Sequence, residues 1–143
     1  MARTTASREI VAPPEKVWAV LADPRRNAEW NTLHTQWKDE PPAQLAAGAQ
    51  MTAVLTIMGM ANTITQTVDQ YDPPNSFSVS GTGMAGAKVS LTTTVEPRGE
   101  ASLVTIDAEF ISQMMVGAIG GAIERASRKE LEASLDKLAG LVS

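Results

Sequence analysis

From Thr35 to Phe110 apolar and polar residues alternate with a period of two, and after this stretch apolar residues recur every three or four positions to the end of the chain. The first period puts alternate side chains on opposite faces of a strand, and the second puts them on one side of a helix. Such a chain must build a one-faced sheet and lay a single long helix against it. Over Ala87–Pro97, residues Ala87, Val89, Leu91 and Val95 share one face, while Lys88, Ser90, Thr92 and Glu96 share the other. Over Ala101–Ile111, Val104, Ile106, Ala108 and Phe110 oppose Thr105, Asp107 and Glu109. Burial on one side only is the pattern of a mainly antiparallel sheet.

Before the alternating stretch the chain reads as a strand and two short helices. Thr4–Val11 is the strand. The Pro13-Pro14-Glu15 sequence suits a helix start, because a first-turn proline gives up an N–H that has no helical partner and an acid favours the positive end. Val17, Trp18, Val20 and Leu21 form its apolar stripe, Asp23-Pro24 stops it, and a second short helix is expected from Arg25 to Trp30. The remaining strands are expected at Thr35–Glu40, Ala49–Met58, Asn62–Tyr71, Ser76–Gly83, Ala87–Pro97 and Ala101–Ile111, with turns at Asp72–Asn75 and Arg98-Gly99-Glu100. The expected fold class is α+β: a roughly seven-stranded antiparallel sheet, two short helices after the first strand and a long C-terminal helix. No internal repeat interrupts it, so residues 1–143 read as a single domain.

The tail stripe is Ile119, Ile123, Ser127, Leu131, Leu135, Leu138 and Val142, and its first turns carry Gly117, Gly120 and Gly121. A helical glycine is unfavourable by about 1 kcal/mol relative to alanine. The glycines therefore predict either a cavity beside the helix, with Ile119 and Ile123 as its nearest walls, or a sheet packed tightly on it.

Composition excludes several functions. The formal charge is −4 and the basic residues are dispersed, which argues against nucleic acid as a partner. There is no cysteine and one histidine, so neither a thiolate nor a histidine metal cage can form, and no metal or cofactor is expected. The longest apolar run, Met114–Ile123, is ten residues and too short to span a bilayer. The first residues lack a signal-peptide core. A cytoplasmic protein without a transmembrane segment is the expectation.

The opening Ile10-Val11-Ala12-Pro13-Pro14-Glu15-Lys16-Val17-Trp18, Asp23-Pro24 close to Ala28-Glu29-Trp30, the Asp72-Pro73-Pro74 turn and the terminal helix resemble the SRPBCC (START-like, polyketide cyclase/dehydrase-like) superfamily. That resemblance implies a helix-grip fold, with the sheet wrapped around the C-terminal helix and a ligand cavity between them. It implies a hydrophobic small-molecule ligand, a lipid or a polyketide-like compound. Its alternatives are a cyclase or dehydratase acting on a similar ligand, and the toxin of a toxin–antitoxin pair. The last arises because Glu29-Trp30, His34, Trp37 and the Gly81–Val89 stretch are similar to small actinobacterial members, some of them described as toxins. An antitoxin partner and a homodimer both stay open.

Candidate ligand-binding residues are those expected on the inner face or at the cavity mouth. From the helical segments and the first strand after them come Trp30, His34 and Trp37, which would share a face if the second helix ran on that far. From the later strands come Leu55, Ile64, Gln66, Phe77, Leu91, Ile106 and Phe110. From the loop after Gly83 and the tail come Met84, Met114, Met115, Ile119 and Ile123. Flexible methionines suit an adaptable apolar pocket, and Met51, Met58 and Met60 fall in the same region. Gln66 lies between Ile64 and Val68, and an inward glutamine needs hydrogen-bond partners. His34 is the sole catalytic candidate, as a general acid/base or a polar anchor; Asp69, Asp107 and Glu109 read as outward. The Gly81–Gly86 stretch lacks the Lys-Ser/Thr ending of a phosphate loop and reads as a hairpin. Trp18 reads as core.

Overall fold

The computed structural model describes residues 2–38, 40, 45–57, 60–73, 75–83, 88–111 and 117–142. Strand β1 (Ala2–Ile10) leads into helix α1 (Pro14–Leu21), a 3-10 turn (Pro24–Arg26) and helix α2 (Asn27–Trp30). Strands β2 (His34–Trp37), β3 (Gln50–Ile57), β4 (Met60–Asp72), β5 (Ser76–Thr82), β6 (Lys88–Arg98) and β7 (Ala101–Ile111) follow, and helix α3 (Gly117–Val142) ends the chain. The strands form one antiparallel sheet in the order β1-β7-β6-β5-β4-β3-β2. Among the described residues the fold is the expected helix-grip arrangement, seven strands around a long helix.

Local chemistry fixes the first connections. Pro14 occupies the first turn of α1, which buries Val17, Trp18, Val20 and Leu21. The Asp23 carboxylate then accepts from the Arg25 N–H at 3.0 Å and starts the 3-10 turn. Behind α1, the buried Ser102 hydroxyl donates to the Ala12 carbonyl at 2.7 Å, tying the β1–α1 turn to β7. The β6–β7 hairpin turns at Gly99, whose φ of +64° favours glycine.

The inner face of the sheet holds the core. Trp18 packs edge-on against Phe77 with ring centroids 5.5 Å apart and against Tyr71 at 5.9 Å, so it is a core residue. From α3 come Leu131, Leu135, Leu138 and Val142, all buried against this cluster. Arg8 of β1 and Asp136 of α3 form an ion pair that links the helix to the edge strand.

Two inward glycines make room for one isoleucine. A Cβ at Gly81 would lie 2.7 Å from Ile64 Cγ2 and 2.6 Å from the Thr65 carbonyl oxygen. A Cβ at Gly83 would lie 2.5 Å from Ile64 Cδ1. The Ile64 side chain therefore lies across the inner face of β5, where any side chain at these positions would collide with it.

The tail glycines differ from expectation at the position the structure describes. Among the described residues a Cβ at Gly121 would meet only Arg125 Nη1, at 3.5 Å, and the groove around it is lined by Glu124, Arg125, Arg128, Lys129 and Glu132. Gly121 thus borders, among the described residues, the charged outer side of α3, against neither sheet nor cavity. Helical periodicity explains this: Gly121 stands two residues before Ile123, which places it well around the helix from the apolar stripe.

Candidate functional site

The site is built on the short segment joining α2 to β2. Helix α2 ends at Trp30 because Asn31 takes an extended conformation (φ −80°, ψ 103°), while its Oδ1 accepts from the Leu33 N–H at 3.1 Å. Asparagine offers this local side-chain bond as an alternative to continuing the helix. The second helix ends at Trp30 as expected, so it does not run on to align Trp30, His34 and Trp37, and His34 begins a strand. His34 and Trp37 nevertheless share a face. His34 pairs with Leu55 and Gln36 with Val54, so Thr35 is an extra residue in β2. A bulge of this kind shifts the side-chain alternation by one position, and Trp37, opposite Ala53, turns back to the side that His34 occupies. Their rings lie 4.7 Å apart, tilted by 55°.

This segment is fastened to α3. Ser134 Oγ accepts from the Thr32 N–H at 2.9 Å, and both hydroxyls, Thr32 Oγ1 at 2.9 Å and Ser134 Oγ at 2.8 Å, donate to the Glu130 carbonyl. Arg26 and Glu29 brace the 3-10 turn against α2 through two hydrogen bonds of 2.9 and 3.2 Å. The paired carboxylate raises the guanidinium pKa, and the guanidinium lowers that of Glu29.

Between this segment, α3 and the inner face of the sheet lies a cavity of about 70 Å³. Leu21, Leu33, Leu45, Met51, Val79 and Leu131 supply part of its apolar wall. Polar wall residues are Asn27, Asn31, His34, Gln66, Thr93 and Ser134, and no charged side chain lines it among the described residues.

Of the residues expected from sequence, Trp30, His34, Leu55, Gln66, Phe77, Leu91 and Ile106 are brought together on this wall. Trp37 stands behind His34, its indole N–H donating to the Pro24 carbonyl at 3.1 Å. Ile64 is buried across β5, and Phe110 packs partly buried at the core edge. Ile123 is buried away from the cavity. The helix wall is formed by Leu131 and Ser134 instead, with Leu131 about 12 Å further along the axis at 1.5 Å per residue. Met84, Met114 and Met115 lie outside the described residues, as does the Ile119 side chain. Thr93 was legible from its alternation with Leu91 and Val95, and Met51 from its place in the methionine set. Asn27, Asn31 and Leu45 carry no periodic signal.

Two wall residues present buried ring nitrogens. Trp30 is 5% exposed and His34 8%, and neither Trp30 Nε1 nor His34 Nδ1 has a hydrogen-bond partner among the described residues. Burial lowers the His34 pKa, because the charged imidazolium loses its solvation. No cluster of metal-ligating side chains occurs among the described residues, and no described helix is long and apolar enough to cross a membrane.

Comparison with known proteins agrees with this architecture. An uncharacterized protein of Mycobacterium tuberculosis is 32% identical over 141 residues, covering 99% of each chain. A protein of the same organism named as a toxin is 32% identical over 135 residues, covering 94% of each. Among solved structures, a START superfamily protein from Mycobacterium smegmatis superimposes with a TM-score of 0.78 at 16% identity, covering 99% of this chain and 97% of that one. A protein from Thermus thermophilus gives a TM-score of 0.77 at 19% identity, covering 96% and 94%. At these identities the structural likeness carries the fold alone. The family model for polyketide cyclase/dehydrase and lipid transport proteins matches residues 1–143, and the chain belongs to that family.

Proposed function

We propose that this chain binds an apolar small molecule in the cavity between the α2–β2 segment, α3 and the sheet. The observation that carries this reading is the wall itself: mostly apolar, uncharged among its described residues, with a few polar groups that can orient a ligand. The family's association with lipid transport supports it. Pockets for drug-sized ligands measure roughly 300–1,000 Å³, against about 70 Å³ here. Uptake of a lipid or polyketide-like molecule therefore requires the wall to part, whereas a single small ring or chain end needs less displacement. A lone neutral histidine, with no carboxylate beside it on the described wall, supports binding better than proton transfer. Purified protein screened by thermal shift against a panel of apolar compounds is expected to show stabilisation by at least one class. No shift with any of them, together with no apolar compound in an organic extract of the protein, overturns the reading.

A second reading, toxin activity, is supported by the relative that bears that name. It predicts that induced expression arrests growth and that co-expression of a neighbouring small gene relieves the arrest. Normal growth on induction contradicts it.

A further inference from the structure

The cavity wall combines two features that together specify a ligand more narrowly than hydrophobicity does. The first is the absence of any charged side chain among the eighteen residues described as lining it. A ligand carboxylate or ammonium inside would have no oppositely charged partner among the described residues, and an unpaired buried ion costs several kcal/mol after relaxation, about the scale of a whole binding free energy for a small ligand. The second is the pair of orphaned nitrogens. Trp30 Nε1 is a donor only, and His34 Nδ1 donates or accepts according to tautomer. Both residues are more than nine-tenths buried, both lie on the cavity wall, and neither nitrogen has a partner among the described residues. A buried donor without a partner is unfavourable by about 1–3 kcal/mol. That cost is removed by any ligand that places an oxygen against the indole N–H.

Resting on the binding reading above, we infer that the cavity selects neutral molecules carrying a carbonyl or hydroxyl oxygen, which accepts from Trp30 Nε1–H with His34 Nδ1 as its second polar contact. Pure hydrocarbons fill the same space but leave both nitrogens unsatisfied. Carboxylates offer an acceptor but lose their solvation without gaining a cation. Trp30 is thus the residue that reads the ligand's polar group, and the leucines and Ile106 read its shape.

The test compares three probes of matched size, acetophenone, ethylbenzene and benzoate, on the wild-type chain and on Trp30→Phe. Acetophenone is expected to bind roughly tenfold or more tighter than ethylbenzene, as sites built to hydrogen-bond reject ligands that lack the bonding group. Benzoate is expected to bind weakest. Trp30→Phe is expected to bring the ratio of acetophenone to ethylbenzene affinity down to about one, and circular dichroism and the thermal melt of the unliganded variant check that it retains its fold. In ¹⁵N-resolved spectra the Trp30 indole N–H moves downfield on addition of acetophenone and stays in place with ethylbenzene. Equal affinity for acetophenone and ethylbenzene overturns this inference and leaves the binding reading intact. Tighter binding of benzoate also overturns it. An indole resonance already downfield before any probe is added, and unmoved by acetophenone, identifies a bound water as the partner and overturns it as well. Silence of all three probes overturns the inference, and the binding reading falls with it only if the wider compound panel and the organic extract are negative too.

Discussion

His34 and Trp37 face each other across 4.7 Å because one extra residue, Thr35, bulges out of β2 between them. The bulge is itself held, since Thr35 Oγ1 and Thr56 Oγ1 lie 2.6 Å apart in a hydrogen bond. The indole of Trp37 is pinned in turn to the Pro24 carbonyl. His34 is therefore presented to the cavity with a rigid aromatic behind it, shielded from solvent.

That shielding makes stability depend on pH. Burial lowers the His34 pKa below its ordinary value of 6.5, so the unfolded chain binds a proton more readily than the folded one. The contribution is complete above about pH 6.5 and is lost as pH falls from there through the folded-state pKa. Urea midpoints measured at pH 7.5 and pH 5.5 are expected to drop at the lower pH for the wild type. The drop is expected to shrink in His34→Gln. An equal drop in both would place the titrating group elsewhere.

Two buried serines of α3 should respond oppositely to alanine. Ser134→Ala leaves the Thr32 N–H without its acceptor and loosens the α2–β2 segment, so a loss of about 1–3 kcal/mol and weaker ligand binding are expected. Ser127 is fully buried with no partner for its hydroxyl among the described residues. Ser127→Ala is therefore expected to be neutral or stabilising. Chemical denaturation of the two variants side by side checks the contrast.

The architecture is legible in the two periods of the sequence. Gln66 between Ile64 and Val68, and Leu91 between Val89 and Val95, betrayed their inward positions through parity alone. Position along the helix was less accessible. The α3 stripe is continuous from Ile123 to Val142, so periodicity shows which face is buried but not which turn borders the cavity. The place of His34 was hidden for a different reason. It depends on Asn31 ending α2 and on a one-residue bulge, both decided by local side-chain bonds and by pairing with β3. Gly121 misled because a helical glycine looks like a packing signal whether or not anything lies beside it.

Glycine substitutions should separate close contact from open surface. Gly81→Ala drives a Cβ into the Thr65 carbonyl and Ile64, and overpacking of this kind costs about 1–3 kcal/mol. Among the described residues Gly121→Ala meets only the flexible end of Arg125, and it gains helix propensity, so stabilisation of up to about 1 kcal/mol is expected. Thermal melts of both variants should move in opposite directions.

Leucines of one helix should likewise separate cavity from core. Leu131 lines the cavity, whereas Leu138 is fully buried outside it. Each alanine variant is expected to lose about 2–5 kcal/mol. Leu131→Ala also enlarges the binding space, so bulkier apolar ligands should gain affinity, while Leu138→Ala should leave ligand selection as it was. Calorimetric titration of both with one ligand pair of different size decides between them.

An apolar ligand bound as proposed occupies the space bounded by Leu55, Leu91, Ile106 and Leu131. The most direct measurement is a set of intermolecular NOEs between an apolar ligand that stabilises the protein and its ¹³C-labelled methyl groups. On this placement NOEs are expected to the methyls of these four residues and none to Leu138 or Val142. Ligand NOEs confined to exposed methyls such as those of Val11 or Leu141, with the four wall residues silent, would contradict it.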